Sequence, residues 1–293
     1  MIPSVNFHLT EKCNMRCKYC FASFQDSANH VLSRNNLSRS QAIDVVCELA
    51  DMGFEKISFA GGEPTLVPWL PKLIEVAKHA GMTTMLITNG SRLSDTFLKQ
   101  NMNHLDWISI SADSMDKTKN NTIGRKVKNE PLSGLDHYVS LAKRIKDYGY
   151  GLKINTVVNK VNWEERMHDF ISSAKPDRWK IFQVLPVEGE NHQSFNQFRI
   201  SSWQFRFFTD NHRELQHTTQ IVAETCTDMI NSYVMIDPKG RFYTNKTGKL
   251  TYSQPIAKIG ARLAIQQMGY NTQKFYSRGG IYDWNIPKEK LFA

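Results

Sequence analysis

Six segments of the chain show the short apolar patterns of β-strands, and helical patterns lie between them. In the first segment, apolar Val5, Phe7 and Leu9 alternate with polar side chains, which is the two-residue period of a strand. The six predicted strands cover residues 4–10, 56–60, 84–88, 106–111, 152–158 and 178–184. A capping box formed by Ser38 and Gln41 predicts the start of one of the intervening helices.

Strands that alternate with helices predict a parallel sheet with right-handed crossovers. The fold class is therefore predicted as α/β, with a partial (β/α)6 barrel over residues 1–187. After Val187 the pattern changes to an aromatic-rich helix ending near 216, a hairpin around the turn at 237–240, and a last helix near 256–268. We expect residues 188–293 to form a C-terminal extension that closes one mouth of the barrel, within a single structural unit.

One face of the predicted strands is polar, although barrel strands covered by helices are normally apolar throughout. Four of the polar positions are cations, and isolated cations are disfavoured in a protein interior unless anions accompany them. Internal salt bridges or exposed strand ends would explain any single lysine. Taken together, the cations favour a polyanionic ligand inside the barrel, and a triphosphate is the simplest candidate. The polar positions are Asn6, His8, Lys56, Ser58, Ser109, Ser111, Lys153, Asn155, Arg178 and Lys180.

Length and composition set broad limits on the protein. One large domain accounts for 293 residues, and the chain has five cysteines and a formal net charge of +9. No apolar run is long enough to span a membrane, and we expect no signal peptide before the first strand. The few clustered cysteines predict a reducing, cytoplasmic setting. The cations form no continuous block that would mark a basic tail, and we expect no nucleic-acid or membrane partner. We also expect the protein to be a monomer.

Cys13, Cys17 and Cys20 form a CxxxCxxC motif directly after the first strand. Three thiolates cannot fill four tetrahedral positions, so the motif favours a [4Fe-4S] cluster with one iron left open for an external chelator. This spacing is typical of radical S-adenosylmethionine (SAM) enzymes. A zinc site and a redox thiol cluster are the alternatives. Cys47 is expected in a helix core, and Cys226 has no ligand at metal-binding spacing.

Three further features carry weaker functional signals. The turn Gly61-Gly-Glu63-Pro64 lets the backbone approach a ligand closely and sets a carboxylate beside it, although an ordinary strand-to-helix turn would look the same. His8 is either a proton donor or a structural histidine. Tyr233 begins a strand of the extension and either reaches the site or packs with its hydroxyl hydrogen-bonded. The aromatic residues at 203–208 are expected in the core.

The chain resembles the viperin family of radical SAM enzymes, and its microbial members in particular. The resemblance rests on matching runs that span nearly the whole chain. They lie at 4–8, 13–21, 55–64, 123–125, 153–159, 178–183, 188–191, 232–233 and 278–280.

This resemblance implies a mechanism and a set of site residues. A cluster on the three cysteines would cleave SAM, and a 5′-deoxyadenosyl radical would take the 4′ hydrogen of CTP, UTP, GTP or ATP. Loss of the 3′ hydroxyl as water would give the 3′-deoxy-3′,4′-didehydro nucleotide, a chain terminator in antiviral defence. An external donor such as a flavodoxin or ferredoxin would supply electrons. SAM would contact Gly61, Gly62, Glu63, Ser111 and Arg125. The nucleotide would contact Asn6, Lys56, Lys153, Asn155, Arg178 and Lys180. Tyr233 would serve the late electron or hydrogen-atom step.

Two other functions remain compatible with the sequence. One is a radical SAM enzyme that modifies RNA or a peptide, as the net charge of +9 would suit. The other is a non-catalytic iron–sulfur or zinc module, which would leave the cations of the strand faces unexplained.

Overall fold

The computed structural model describes residues 2–24, 36–128, 130, 131 and 134–284. Among these residues, ten strands form one sheet in the spatial order β12-β11-β10-β1-β2-β3-β4-β7-β8-β9. Its strands are β1 (Ser4–His8), β2 (Lys56–Ala60), β3 (Thr83–Thr88), β4 (Trp107–Ser111), β7 (Gly151–Val158), β8 (Arg178–Gln183), β9 (Gln220–Glu224), β10 (Val234–Ile236), β11 (Phe242–Thr244) and β12 (Thr251–Tyr252). A separate small hairpin pairs β5 (Lys126–Val127) with β6 (Glu130–Pro131).

The sheet is mostly parallel, which confirms the predicted α/β class. All six predicted strands are present, as β1, β2, β3, β4, β7 and β8, and each is parallel to its neighbour. Two further parallel strands extend the sheet, β9 beside β8 and β10 beside β1. The turn at 237–240 joins β10 to antiparallel β11, as predicted. Strands β9 to β12 thus come from the C-terminal extension, while the division of the chain at residue 187 stays a prediction.

Helices connect the strands and cover the sheet. They span Arg39–Asp51, Leu70–His79, Asp95–Asn101, Lys117–Ile123, Leu135–Asp147, His168–Ala174, His192–Phe198, Ser202–Asn211, Cys226–Met229, Ile256–Ile259, Ala261–Gln266 and Thr272–Ser277, with 3-10 turns at Pro64–Leu66 and Arg213–His217. The first begins at the predicted Ser38–Gln41 capping box. The predicted helix near 256–268 is divided by Gly260, whose left-handed backbone (φ +79°) interrupts the helical hydrogen bonding.

The apolar face of each central strand packs against helices. Phe7, Ile57, Phe59 and Ile108 are at most 1% exposed and belong to one core with the inward faces of the Arg39–Asp51 and Leu135–Asp147 helices. This arrangement leaves the other strand face free to line a cavity.

Two packing predictions were wrong. Cys47 is exposed, because the Arg39–Asp51 helix turns Ala42, Val45, Val46 and Leu49 inward instead. The aromatic run at 203–208 is only partly core. Phe205 and Phe208 are buried, but Trp203 is 58% exposed, and its ring is tilted by 57° against that of Trp163 with 5.6 Å between the centroids.

The end of the described chain crosses the amino-terminal edge of the sheet. The indole nitrogen of Trp107, the first residue of β4, donates a 2.8 Å hydrogen bond to the carbonyl of Trp284. The Tyr282 ring lies edge-on to Trp107 with 5.6 Å between ring centroids. This C-terminal tail therefore closes the edge opposite the cysteine loop. In the part of the chain that the structure describes, no helix has the length and apolarity needed to cross a membrane.

Candidate active site

The three cysteines lie in a loop at the carboxyl end of β1, and all three line one cavity of about 320 Å³. Neighbouring segments hold this loop through its backbone. The amide of Lys18 donates to the Ile123 carbonyl at 3.0 Å, and the Asn191 side chain donates to the Tyr19 carbonyl at 2.9 Å. The Tyr19 hydroxyl donates to the buried carboxylate of Asp113. Contacts within the chain thus hold the cysteine loop in place.

Gly124 makes the closest approach to the cysteine loop. Its backbone is left-handed, with φ +83°, and a Cβ there would lie 2.1 Å from the Arg16 carbonyl oxygen. Only glycine satisfies both conditions. Gly62 is similarly constrained, since its Cβ would lie 2.3 Å from the Lys12 carbonyl oxygen.

The cysteine side chains suit a multinuclear cluster. Burial raises the pKa of Cys17 to about 12 and that of Cys20 to about 11, so a bound cation is needed to keep them as thiolates. Among the described residues, no three His, Cys, Asp or Glu side chains converge on a position for a single metal ion. An iron–sulfur cluster needs no such convergence, because each thiolate ligates its own iron.

The predicted SAM residues divide between the cavity wall and the layer behind it. Gly61, Gly62, Ser111 and Arg125 line the cavity. Arg125 is buried and forms a 3.0 Å ion pair with Asp113, while its Nε has no partner among the described atoms.

Glu63 is fully buried behind the wall. Its carboxylate accepts hydrogen bonds from Thr65, from the Thr88 hydroxyl at 2.7 Å and from the Asn89 amide at 2.9 Å. The structure therefore gives Glu63 a contact with the end of β3, and its predicted contact with SAM stays a prediction.

The polar strand faces meet in the same cavity. All the predicted positions except Ser109 line it, which confirms the predicted orientation of the strands. The four cations are nearly buried, with exposures of 3% for Lys56, 8% for Lys153, 1% for Arg178 and 5% for Lys180. Asn6 and Asn155 lie on the same faces, and the carbonyl oxygen of the Asn155 side chain is buried without a hydrogen-bond partner in the described residues.

Burial and mutual repulsion perturb these cations. Burial is the main cause that lowers the pKa of Lys56 and of Lys153 well below the usual value for lysine, and the neighbouring cations lower both further. Burial also lowers the pKa of Lys180 to about 7, against an opposing effect of Glu224. Within the described residues, Lys153 makes no ion pair. An anionic ligand would offset the cost of burying these charges and the repulsion between them.

A network around Glu224 was missed from the sequence. Glu224 is fully buried and pairs with Lys180 and, at 3.1 Å, with Arg278. Burial opposes its ionisation, but Lys180 and Arg278 outweigh burial and lower the pKa of the carboxyl to about 2. The Tyr233 hydroxyl donates to Glu224 and accepts a 2.8 Å hydrogen bond from Lys180. The Arg278 guanidinium also stacks 3.5 Å from the centre of the Tyr233 ring.

Tyr282 was also missed. Its hydroxyl accepts a hydrogen bond from the Lys56 ammonium, and its ring lies 4.0 Å from the Arg178 guanidinium carbon. Arg278 directly precedes the Gly279-Gly280 pair and Tyr282 follows it, and the matching run at 278–280 was the functional signal in this segment. The cavity thus has cysteines at one end and cations with aromatic neighbours at the other.

Comparison with known proteins identifies the class first. Residues 7–171 match the model of the radical SAM superfamily. The structure also resembles two solved radical SAM folds at low sequence identity. Native anSMEcpe with bound AdoMet superposes with a TM-score of 0.68 at 15% identity, over 94% of this chain and 82% of that one. Streptococcus suis SuiB bound to S-adenosylmethionine gives 0.63 at 18% identity, over 82% and 59%. The chain is a radical SAM protein, a class that implies SAM and an iron–sulfur cluster.

Similarity to individual relatives narrows the class of protein to one family. A nucleotide dehydratase of Lacinutrix mariniflava is 48% identical over 99% of this chain and 60% of its own length. One of Flammeovirga pacifica is 48% identical over 97% of both chains, and one of Oncorhynchus mykiss is 33% identical over 98% of this chain and 82% of its own. The chain belongs to the family of S-adenosylmethionine-dependent nucleotide dehydratases, the viperin-like radical SAM enzymes.

Proposed function

We propose that this protein dehydrates a ribonucleoside triphosphate, CTP, UTP, GTP or ATP, to its 3′-deoxy-3′,4′-didehydro analogue. One observation carries the proposal: a single cavity joins the three cysteines to Lys56, Lys153, Arg178 and Lys180. Arg278 lines the same cavity and adds a fifth cation to this group, and Glu224 behind the wall balances only one of the five; Arg125, the other cation of the wall, is paired with Asp113. A triphosphate supplies the missing negative charge.

The order of groups along the strands supports one orientation of the nucleotide. Lys56 and Arg178 are the first residues of β2 and β8, so they lie at the amino-terminal edge of the sheet. Asn155 follows Lys153 by two residues along β7, about 7 Å nearer the cysteine loop. The phosphates would therefore bind at the edge closed by the C-terminal tail. The ribose would lie beside Asn6 and Asn155, below the cysteines.

The cofactors would occupy the other end of the cavity. Cys13, Cys17 and Cys20 would hold a [4Fe-4S] cluster, and Gly61, Gly62, Glu63, Ser111 and Arg125 would hold SAM. When bound, the reduced cluster and SAM supply a 5′-deoxyadenosyl radical that takes the 4′ hydrogen of the ribose. The enclosing strand faces would position C4′ and exclude water. We further propose that the sheet forms a partial (β/α)6 barrel, with residues 188–293 as its closing extension.

Tyr233 and Glu224 would act late in the reaction. After 4′ hydrogen abstraction, the 3′ hydroxyl would take a proton from one of the lysine ammonium groups that line the cavity and leave as water, and the substrate would then be short of one electron. Tyr233 donates its hydroxyl proton toward Glu224 in the resting site. Tyr233 would supply the electron while Glu224 takes this proton, and the external donor would then restore the tyrosine.

The proposal is tested by coupling between nucleotide and SAM cleavage. The protein is reconstituted anaerobically with iron and sulfide, reduced with dithionite, and given SAM with each of the four triphosphates in turn. We expect one or more triphosphates to raise the yield of 5′-deoxyadenosine well above the nucleotide-free background. The same low yield with every nucleotide, from protein that carries the cluster, would overturn the proposal.

A further inference from the structure

The outer side of the cysteine loop is strongly basic. Lys12, Arg16 and Lys18 alternate with the cysteines and are exposed, and Glu11 is the one carboxylate among residues 11–20. The ion pairs found among the described residues include none of these three cations. Their charges are therefore available to a partner.

A second segment extends this basic surface. The amides of Arg16 and Lys18 donate to the carbonyls of Gly124 and Ile123, at 3.3 and 3.0 Å, which holds residues 123–128 against the cysteine loop. Lys126 in this segment is half-buried and Lys128 is exposed. We call Lys12, Arg16, Lys18, Lys126 and Lys128 the basic collar.

Carboxylates do little to neutralise the basic collar. Asp116, on the helix that leads into residues 123–128, is held by the amides of Thr118 and Lys119, at 2.7 and 3.1 Å. Arg125 lies between the two segments but is buried and paired with Asp113. The collar therefore has five cations, and the carboxylates on its two segments and on the strand paired with residues 126–127 are Glu11 and Glu130.

The position of the basic collar indicates what binds there. Lys12, Arg16 and Lys18 are exposed in the cysteine loop itself, and none of the five collar cations lines the cavity that the cysteines line. The large aromatic side chains exposed in the described residues, Trp203, Phe207 and Tyr276, belong to other helices. Stacking platforms for single-stranded nucleic acid need such aromatics, so the collar suits an acidic protein better than an RNA.

We propose that the basic collar docks a small acidic one-electron carrier protein. This inference rests on the proposed function, in which electrons must reach the group held by the cysteines. A carrier seated on the collar would place its own redox centre beside the cysteine loop without entering the nucleotide cavity. Opposite charges would also speed the encounter and make it sensitive to salt.

The test compares charge reversals on and off the collar. The double variant Lys126→Glu/Lys128→Glu and the single variant Arg16→Glu remove collar charge. The variant Lys258→Glu reverses an exposed lysine on the Ile256–Ile259 helix, which packs on the Arg39–Asp51 helix. Each protein is titrated with an acidic bacterial flavodoxin, an acidic ferredoxin and a single-stranded RNA oligonucleotide, at low and at physiological salt.

We expect the double variant to bind the carriers roughly tenfold more weakly at low salt and to be reduced more slowly by photoreduced flavodoxin or ferredoxin, because two of the five collar cations become anions. The carrier that binds distinguishes a flavin from an iron–sulfur donor. Lys258→Glu should behave as the unaltered protein. Equal carrier binding by all proteins, or binding of the RNA in preference to both carriers, would overturn the inference.

Dithionite separates this inference from the proposed function. The chemical reductant bypasses the carrier, so the double variant should keep its nucleotide-stimulated SAM cleavage with dithionite and lose it with flavodoxin. Failure of all triphosphates with dithionite would reject the proposed function while leaving the carrier titration interpretable.

Discussion

Lys180 contacts two members of the network around Glu224. It forms an ion pair with the Glu224 carboxylate and donates a hydrogen bond to the Tyr233 hydroxyl. We predict that Lys180→Ala weakens nucleotide binding roughly tenfold or more, because a hydrogen bond to a charged group contributes about 1.5–3 kcal/mol. Nucleotide-stimulated 5′-deoxyadenosine should fall, whereas background SAM cleavage should persist. The exposed Lys143→Ala is the control. Loss of both activities together would show that Lys180 serves the fold or SAM.

A substitution at Tyr233 separates the late step of the reaction from nucleotide binding and SAM cleavage. We predict that Tyr233→Phe keeps the ring against Arg278, binds nucleotide and cleaves SAM, but yields less dehydrated nucleotide for each 5′-deoxyadenosine, because it lacks the hydroxyl that donates to Glu224. The product ratio measures this by chromatography, with the exposed Tyr276→Phe as control. An unchanged ratio would remove Tyr233 from the late step.

The lowered pKa values of the cavity lysines predict that nucleotide binding is coupled to proton uptake. Burial lowers the pKa of Lys180 to about 7 and those of Lys56 and Lys153 well below normal, and a bound triphosphate would raise all three. Binding at pH 8 should therefore take up protons, and affinity should fall as pH rises above 7. Calorimetry in buffers of different ionisation enthalpy measures the uptake. The matching nucleoside, which lacks phosphates, should cause none, and equal uptake with both would contradict the phosphate assignment.

At the scale of elements, the junction between the cysteine loop and the segment at 123–128 depends on Gly124. We predict that Gly124→Ala destabilises the protein and reduces cluster loading, because the new methyl group meets the Arg16 carbonyl at 2.1 Å. Gly81→Ala is a matched control. It has the same φ of +83° but nothing within 4 Å of its Cβ, so it should cost only the backbone strain, about 1 kcal/mol. Thermal unfolding and absorbance of the reconstituted cluster compare the two. Equal loss in both variants would mean that the contact with Arg16 is unimportant.

The six predicted strands were accessible from sequence because each carries a local pattern. The alternation along Lys153-Ile-Asn155 and Arg178-Trp-Lys180 also predicts which side chains share a face, and the structure confirms that these four polar residues line one cavity. Strand β9 could not be found in this way. It is a five-residue edge strand whose first four residues are exposed or half-buried, so its pattern is indistinct.

The partners of the cavity cations could not be predicted from the sequence either. Glu224 acquires its role from Lys180 and Arg278, which lie far away in sequence and meet it only in the folded sheet. Tyr282 likewise reaches Lys56 across 226 residues. Periodicity identifies the face a residue occupies, whereas these contacts depend on which segments the tertiary fold brings together.

At the scale of the whole molecule, the distribution of charge separates the candidate functions. An enzyme acting on RNA should bind it with accessible surface cations, such as those of the basic collar, and has no need of cations inside a cavity. Here Lys56, Lys153, Arg178 and Lys180 are at most 8% exposed and line an internal cavity, which favours a small anionic substrate. The net charge of +9 is therefore partly a property of the interior.

Transfer of the 4′ hydrogen is the central claim, and isotope labelling tests it most directly. Reconstituted protein is incubated with SAM, dithionite and the active triphosphate carrying deuterium at C4′, and both products are analysed by mass spectrometry. The account predicts singly deuterated 5′-deoxyadenosine together with a nucleotide that has lost the label and one molecule of water. Unlabelled 5′-deoxyadenosine, or an intact nucleotide that keeps its 3′ hydroxyl, would contradict it.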